Sequence, residues 1–551
     1  MFRLLNKLKF HRVKVPCLPT PFTRQPVRYN MCGGGMIEDT GLILGCYCDY
    51  HFPKAIELTE TSKLFNIEIE GRLSEALKAT GPTPKEGEYR IIYNLHPLYS
   101  AIAVVGLGEG CYTYNDMEEM DEYKEVVRIA SSVGARALQE IRVRTVHTES
   151  FNTAESAAEG TSMGVWMFQE LKNPNKHQTI PRLELYGSCD YTGWQIGLQK
   201  GAAQNLARQL AETPPNIMTP IGFAQGAVDI LTKAGISVEV KVKQWAKIMD
   251  MNAYLASASG SCEPPVFLEL SYYGCEADVP PLILIGKGVT FNSGGLCLKQ
   301  CEDMGVMRGD MSGAAIVVGA MRAASALNLP LNIRGLIPLL ENMPGNCALK
   351  AGDIVRAKNG KTILVEDTDF DARLALADTM SYAGNYNPKA IVDIGTTSSN
   401  TIHGLGRGAT IGFSNNDIMF ESMRISGMHT GDRVWRFPLW KFYQYKLQNP
   451  FADTADTWVS RNYSDPCAAA AFLGEFLPLG TDWIHLDIFG TFTTDNEIPY
   501  LRKGMSGRPV RTIVEFLAQQ ACQHNEAEVQ ATGGGHMTLS CAGGESESKK
   551  K

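Results

Sequence analysis

Asp367, Asp369 and Asp371 stand two apart in VEDTDFDARLALAD (365–378), with Arg373 next in the same phase. In an extended chain, side chains spaced this way share one face. Three carboxylates on one face repel unless a cation sits among them, so the stretch predicts a metal site or an ion-pair network. GKGVTFNSGGLCLK (286–299) holds Lys287, Asn292 and Lys299, and MRGDMSGAA (307–315) holds Asp310. The ten histidines are isolated, and no H-E-x-x-H, serine elbow or Walker loop occurs. Any metal here takes oxygen ligands, with one lysine at most. His485, in DWIHLDIFG, reads as a satisfied core histidine rather than a ligand.

The elements that must position these residues follow from hydrophobic patterning. PLILIGKGVTF (281–291) reads as one continuous strand buried on both faces. MSGAAIVVGAMRAASAL (311–327) reads as a helix directly after Asp310, and KTILVEDTD (361–369) as a strand running into the helix that begins near Arg373. KAIVDIGT (389–396) and DWIHLDIFG (482–490) add two more strands. The alternation predicts an α/β domain around a mainly parallel sheet, with its site beyond the carboxyl ends of the strands. Lys287 with Asn292, and Asp369 with Asp371, fall at such ends.

Residues 38–205 mix shorter strands and helices and are expected to form a smaller N-terminal α/β domain. AIAVVGLGEG (101–110) is a strand entering a tight glycine turn and lacks the dinucleotide-binding spacing. The boundary is expected where GWQIGLQKGAAQNLARQLAETPPNIMTP (193–220) passes from a helix into a proline-rich stop. The larger, catalytic-type domain then spans 206–525. Residues 526–551, rich in Gly, Ser and charge, read as a disordered tail.

The 551 residues, 44% hydrophobic and 20% charged, suit a soluble globular chain. No apolar run approaches the ~20 residues of a membrane span. Residues 1–37 hold seven cations and no acid, the composition of a mitochondrial targeting leader; a plain basic tail, with a cytoplasmic protein, is the alternative. The body is acidic, which argues against a nucleic-acid partner. Fourteen cysteines without a C-x-x-C pair suggest reduced thiols.

Several of these motifs together carry a family likeness. GKGVTFNSGGLCLK, MRGDMSGAA, DTDFDARLALAD (367–378) and PYLRKGMSGRPVRTIVEFL (499–517) resemble, in order, those of the cytosolic leucine aminopeptidases, and ARQLAETPPNIMTP (207–220) resembles their interdomain segment. The resemblance spans 206–520, with a weaker match before it. It implies a two-metal exopeptidase, in which paired Mn or Zn ions polarise the peptide carbonyl and activate a bridging water. Carried over by position, it implies Lys287, Asn292, Asp310, Asp369 and Asp371 as metal ligands. Lys299 would stabilise the oxyanion, and Arg373 would anchor a bicarbonate-like group. Met307, Asp367, Thr396, Ser399, Phe489 and Phe492 would line the substrate site. It also implies a homohexamer acting on peptides. A lysine ligates only when neutral, so Lys287 needs a depressed pKa.

The chain departs from that pattern at the metals. Asn292 stands where the family has a bridging aspartate, and Asp371 where it has a bridging glutamate. Ala372 replaces a glycine and Asp367 an asparagine. Shortening Glu to Asp retracts the carboxylate by about 1.5 Å, against a metal–ligand tolerance of about 0.2 Å. Asp367 returns one carboxylate to the cluster and offers a way to rebuild the site. The family's T-L-T-G-A loop reads TTSSN (396–400), and DIAG reads DIFG, which puts Phe489 into the pocket for the N-terminal side chain. A phenylalanine buries roughly 150–250 Å². Leader and altered ligands together resemble the sperm leucyl aminopeptidases of insects. The expectation is a catalytically weak or inactive, oligomeric structural protein of mitochondria. The competing expectation is an active metal-dependent aminopeptidase favouring a harder ion such as Mn²⁺ or Mg²⁺, and a third, weaker option is a peptide- or metal-binding module without turnover.

Overall fold

The computed structural model describes residues 39–48, 56–458 and 465–531. The expected leader and the residues from 532 onward lie outside the described residues. Two sheets organise the chain. The first is built from β1 (Thr40–Cys48), β2 (Tyr89–His96), β3 (Tyr99–Gly106), β4 (Thr145–Glu149) and β5 (Arg182–Tyr186), in the order β2-β3-β1-β4-β5. All its neighbours on this path run parallel except the β2–β3 hairpin. Helix α1 (Glu122–Glu140) is capped by the Asp121 side chain, and α2 (Ala154–Val165) packs on it. The small residues of AESAAEGTSMGV allow close helix approach, and α3 (Tyr191–Glu212) lies on the other side of α2.

The second sheet has nine strands. In chain order these include β6 (Ser237–Val242), β7 (Val266–Tyr273), β8 (Leu282–Gly286), β9 (Gly288–Asn292), β10 (Asn332–Asn342), β11 (Ala390–Gly395), β12 (Thr410–Ser414), β13 (Val434–Arg436) and β14 (Asp482–Asp487). The spatial order is β13-β12-β14-β11-β8-β10-β7-β6, with β9 beside β10. The central strands β14, β11, β8 and β10 are parallel, and β6, β7 and β12 add the antiparallel pairings. This is the α/β, two-domain architecture expected.

Both faces of the sheet are covered, which explains the unbroken apolar run of β8. Leu282 and Leu284 join the apolar cluster under α4 (Ser312–Ala326), while Ile283 and Ile285 join the opposite cluster with α5 (Asp371–Ala383) and α6 (Asp465–Gly474). Each such side chain contributes about 1.5–3 kcal/mol of burial. α3 packs against α4, so one stack of helices runs from the first domain into the second. The boundary expected at 205–206 falls within α3.

Three expectations change. PLILIGKGVTF is two strands, because the chain leaves β11 at Lys287, where β9 continues beside β10 alone. KTILVEDTD contributes only Thr362–Leu364, in a separate three-stranded sheet; the aspartates after it bend into a 3₁₀ turn (Thr368–Phe370). The last helix, α7 (Val510–Ala531), runs past the boundary expected at 525. No helix among the described residues is long and apolar enough to cross a membrane, and no disulfide joins the described cysteines.

Candidate functional site

The carboxyl ends of β8, β9 and β11 converge with the N-termini of α4 and α5. Glycine makes the approach possible: a Cβ on Gly313 would stand 2.1 Å from the Ile394 carbonyl oxygen. The first turn of α4 therefore lies against the strand ends, where the Ala314 amide donates to the Lys287 carbonyl (2.9 Å). Asp310 sits just ahead of that turn.

Lys287 is 3% exposed and Asp310 1%. Lys287 Nζ donates to Asp310 Oδ1 (2.8 Å) and to the Thr396 carbonyl (2.6 Å). Burial lowers the Lys287 pKa, outweighing the upward pull of Asp310. Thr396 Oγ1 donates to the same Asp310 oxygen (2.5 Å). Thr396 thus braces the Lys287–Asp310 pair and is itself buried.

Asn292 shapes the centre. Its Nδ2 donates to Asp310 Oδ2 (3.0 Å) and to the Asp369 carbonyl (3.3 Å). Its Oδ1 accepts from the Gly294 amide (2.9 Å) and from Asn342 Nδ2 (3.0 Å). Gly294, at φ +90°, lets the chain turn back tightly enough to present that amide. Reversing the Asn292 amide would set oxygen against a carboxylate and a carbonyl, and nitrogen against two N–H donors, so its partners define the orientation.

The extended alternation expected through the aspartates is broken, because residues 368–370 turn rather than extend. Asp367 Oδ1 accepts from the Asp369 amide (2.9 Å), bracing the turn. Asp369 Oδ2 accepts from Lys299 Nζ (2.6 Å), whereas its Oδ1 is buried without a hydrogen-bond partner among the described residues. Burial raises the Asp369 pKa against the pull of Lys299. Asp371 opens α5, and its side chain lies outside the described residues.

Arg373, 1% exposed, is enclosed. Its Nε and Nη2 donate to the Thr397 carbonyl (3.2 and 2.8 Å), Nη1 to the Asp456 carbonyl (3.0 Å) and Nη2 also to Asp465 Oδ1 (2.7 Å). The Phe370 ring covers one face, 3.9 Å from the guanidinium carbon. Below it, Thr397 Oγ1 reaches Asp487 Oδ2 (2.7 Å) and His485 Nε2 (3.0 Å), and His485 Nδ1 reaches Asp393 Oδ1 (2.6 Å). His485 is fully buried; burial opposes its charge, but the Asp393 contact raises its pKa overall.

The structure therefore brings Lys287, Asn292, Asp310, Lys299 and Asp369 together, with Arg373 adjoining. Met307, Phe489 and Phe492 join one apolar cluster, and the last two rings stand 5.3 Å apart. Ser399 is exposed. Asn342, Phe370, Asp456 and Asp465 were not legible as site residues. Asp465-Pro466 ahead of an alanine run signals only a helix start. As possible metal donors the centre offers Asp310, Asp369 with its unpartnered Oδ1, and Lys287 when neutral. Among the described residues, no three His, Cys, Asp or Glu side chains are placed to hold a metal.

Known proteins share this architecture. Residues 205–514 match the catalytic domain of the cytosol aminopeptidase family, and residues 43–175 match its N-terminal domain. The cytosol aminopeptidase of Sus scrofa is 42% identical over 481 residues, covering 87% of this chain and 92% of that protein. That of Dictyostelium discoideum is 34% identical over 505 residues, covering 89% and 95%. The solved structure of the bottromycin maturation enzyme BotP in complex with Mn superposes with a TM-score of 0.75 at 27% identity, covering 88% of this chain and all of that one. With both domains matched and most of each chain aligned, this protein belongs to the cytosol (leucine) aminopeptidase family.

Proposed function

We propose that this chain is a leucine aminopeptidase-like protein whose two-metal site is degraded, leaving it catalytically weak or inactive and retained as an oligomeric structural protein. The observation that carries the reading is the Asn292 amide, which turns N–H toward Asp310 and the Asp369 carbonyl. A metal ligand at this position must present a lone pair, and the oxygen that could do so is held by Gly294 and Asn342. That no three His, Cys, Asp or Glu side chains among the described residues are placed to hold a metal supports the same reading. Replacing a carboxylate by an amide also forfeits a unit charge pair, about 4 kcal/mol at ~4 Å and an effective dielectric of ~20. Lys287 and Lys299 supply cations to Asp310 and Asp369, and the donors of Arg373 meet protein oxygens.

The direct test is metal analysis of the purified protein together with a leucyl-amide assay in added Mn²⁺. The expected result is well under two metals per chain and no leucine release. Two tightly held ions with brisk hydrolysis would overturn the reading. One observation favours the alternative, an active Mn- or Zn-dependent aminopeptidase: the buried Asp369 Oδ1 has no partner and would accept a cation. The relative solved in complex with Mn points the same way.

The proposal extends to setting. The acid-free basic stretch 1–37 supports import into the mitochondrial matrix, and the family likeness supports a homohexamer, with sperm mitochondria as the site of use. Organelle fractionation and light scattering on the purified chain test these two parts separately.

A further inference from the structure

Three arginines meet where the two domains join, away from the ion pairs described above. Arg136 comes from α1, Arg208 from α3, and Arg502 from the loop ahead of α7. They gather around the last turn of α2. Arg136 Nε donates to the Gly164 carbonyl (3.1 Å), and Arg208 Nη1 donates to Asn205 Oδ1 (3.0 Å) and, at longer range, to the Met163 carbonyl (3.4 Å). Arg502 Nη2 donates to Gln139 Oε1 (3.0 Å). The Trp166 ring lies 4.1 Å from the Arg208 guanidinium carbon.

Capping a helix C-terminus accounts for part of this arrangement, since that end carries about half a negative charge. It does not account for three cations. Elsewhere along the domain junction, buried arginines face carboxylates: Arg128 and Arg511 meet Glu159, and Arg508 meets Asp432. Among the described residues, none of Arg136, Arg208 and Arg502 has such a partner. The nearby Glu212 is engaged by Arg308 Nη2 (2.7 Å) and the Met505 amide (2.5 Å), and Glu140 is exposed.

The hydrogen bonds leave a matching remainder. Arg136 Nη2, Arg208 Nε and Arg502 Nε are each buried atoms with no hydrogen-bond partner among the described residues. Arg208 is 1% exposed, while Arg136 and Arg502 are half-buried, so the group has a floor and an open side. Burial and the neighbouring guanidiniums pull Arg208 down to about 9 and Arg136 down to about 10. Both stay cationic at neutral pH, against mutual repulsion. Unpaired buried donors and like charges are both relieved by one kind of group, an oxyanion with several acceptor lone pairs.

We propose that Arg136, Arg208 and Arg502 form a binding site for a small oxyanion of the phosphate class at the domain junction. The site is independent of the metal question, because none of its residues touches Asp310, Asn292 or Asp369. A ligand held between α1, α3 and the 502 loop would bridge the two domains and stiffen their junction.

Isothermal titration of the full chain with inorganic phosphate, at ionic strength held constant with chloride, tests this. Saturable binding at one phosphate per chain is expected, with a phosphate-dependent rise in melting temperature. Arg502→Gln, a half-buried change, should weaken binding at least tenfold and abolish that rise; Arg208→Gln should do the same if it folds. Absence of saturable binding, or equal binding by Arg502→Gln, would overturn the proposal. So would an oligomer that dissociates in Arg502→Gln without phosphate binding to the native chain, which would assign the cluster to a carboxylate of a second copy.

Discussion

Through one amide, Asn292 ties β9 to Asp310 ahead of α4 and to the turn ahead of α5. Asn292→Asp replaces two donated hydrogen bonds with a carboxylate facing a carboxylate and a carbonyl. In chelator, the variant should lose about 1–3 kcal/mol of stability, the value of buried donors removed from their acceptors. Added Mn²⁺ should recover much of that loss in the variant and leave the native chain unmoved. Melting curves with chelator and with Mn²⁺ decide it; an Asn292→Asp chain as stable as the native one in chelator would refute the orientation argued for Asn292. Arg373 offers a second check. Arg373→Met strands Asp465 in a buried place without its cation, and should destabilise the chain by about 3–5 kcal/mol in urea titration.

At the scale of elements, the strand ends are where charge is buried, in both domains. Glu149 closes β4, where its Oε2 accepts from the Gly45 amide (2.9 Å) and Ser62 Oγ (3.1 Å), with no ion-pair partner among the described residues. Burial pushes its pKa up to about 7 from an ordinary 4.5, against those hydrogen bonds. Between these values the folded chain holds a proton that the unfolded chain has released, so stability falls as pH rises from about 4.5 to about 7. Glu149→Gln keeps an acceptor and removes the titration. It should flatten the stability–pH curve over this window and gain up to about 3 kcal/mol at pH 8 relative to the native chain. Denaturant midpoints at pH 5 and pH 8 measure the change in slope. His485 slopes the same way at higher pH: its raised pKa gives stability that is full below about 6.5 and lost as pH climbs through the folded value.

Across the whole molecule, the two domains are joined by helix packing and by a buried charge network. Glu159 of α2 accepts from Arg128 Nε (2.6 Å) and Arg511 Nη1 (2.9 Å), and Arg511 also reaches Asp432 (3.2 Å). Burial would raise the Glu159 pKa, but the two arginines hold it at about 2. Glu159→Gln removes the anion shared by both domains and should cost about 3–5 kcal/mol. Because the lost contacts cross the junction, calorimetry should also resolve two transitions where the native chain shows one. A single transition displaced as a unit would mean that the α1–α2–α3–α4 stack couples the domains without this network.

Local pattern was enough to identify the α/β class, the β8, β11 and β14 strands, the helix after Asp310 and the set of charged residues at the strand ends. Apolar runs buried on both faces, and an acid or lysine where such runs stop, are properties of neighbouring residues and can be read from the chain. Hydrogen-bond partners distant in sequence decided the rest. The break at Lys287 depends on β9 leaving β11, and the curl of Asp367–Asp369 on a 3₁₀ turn that no alternation pattern announces. The direction of the Asn292 amide is chosen by Gly294, Asn342 and Asp310 together, and the Arg373 enclosure by Thr397, Asp456 and Asp465. The arginine cluster needs three segments from both domains, so only folding could assemble it.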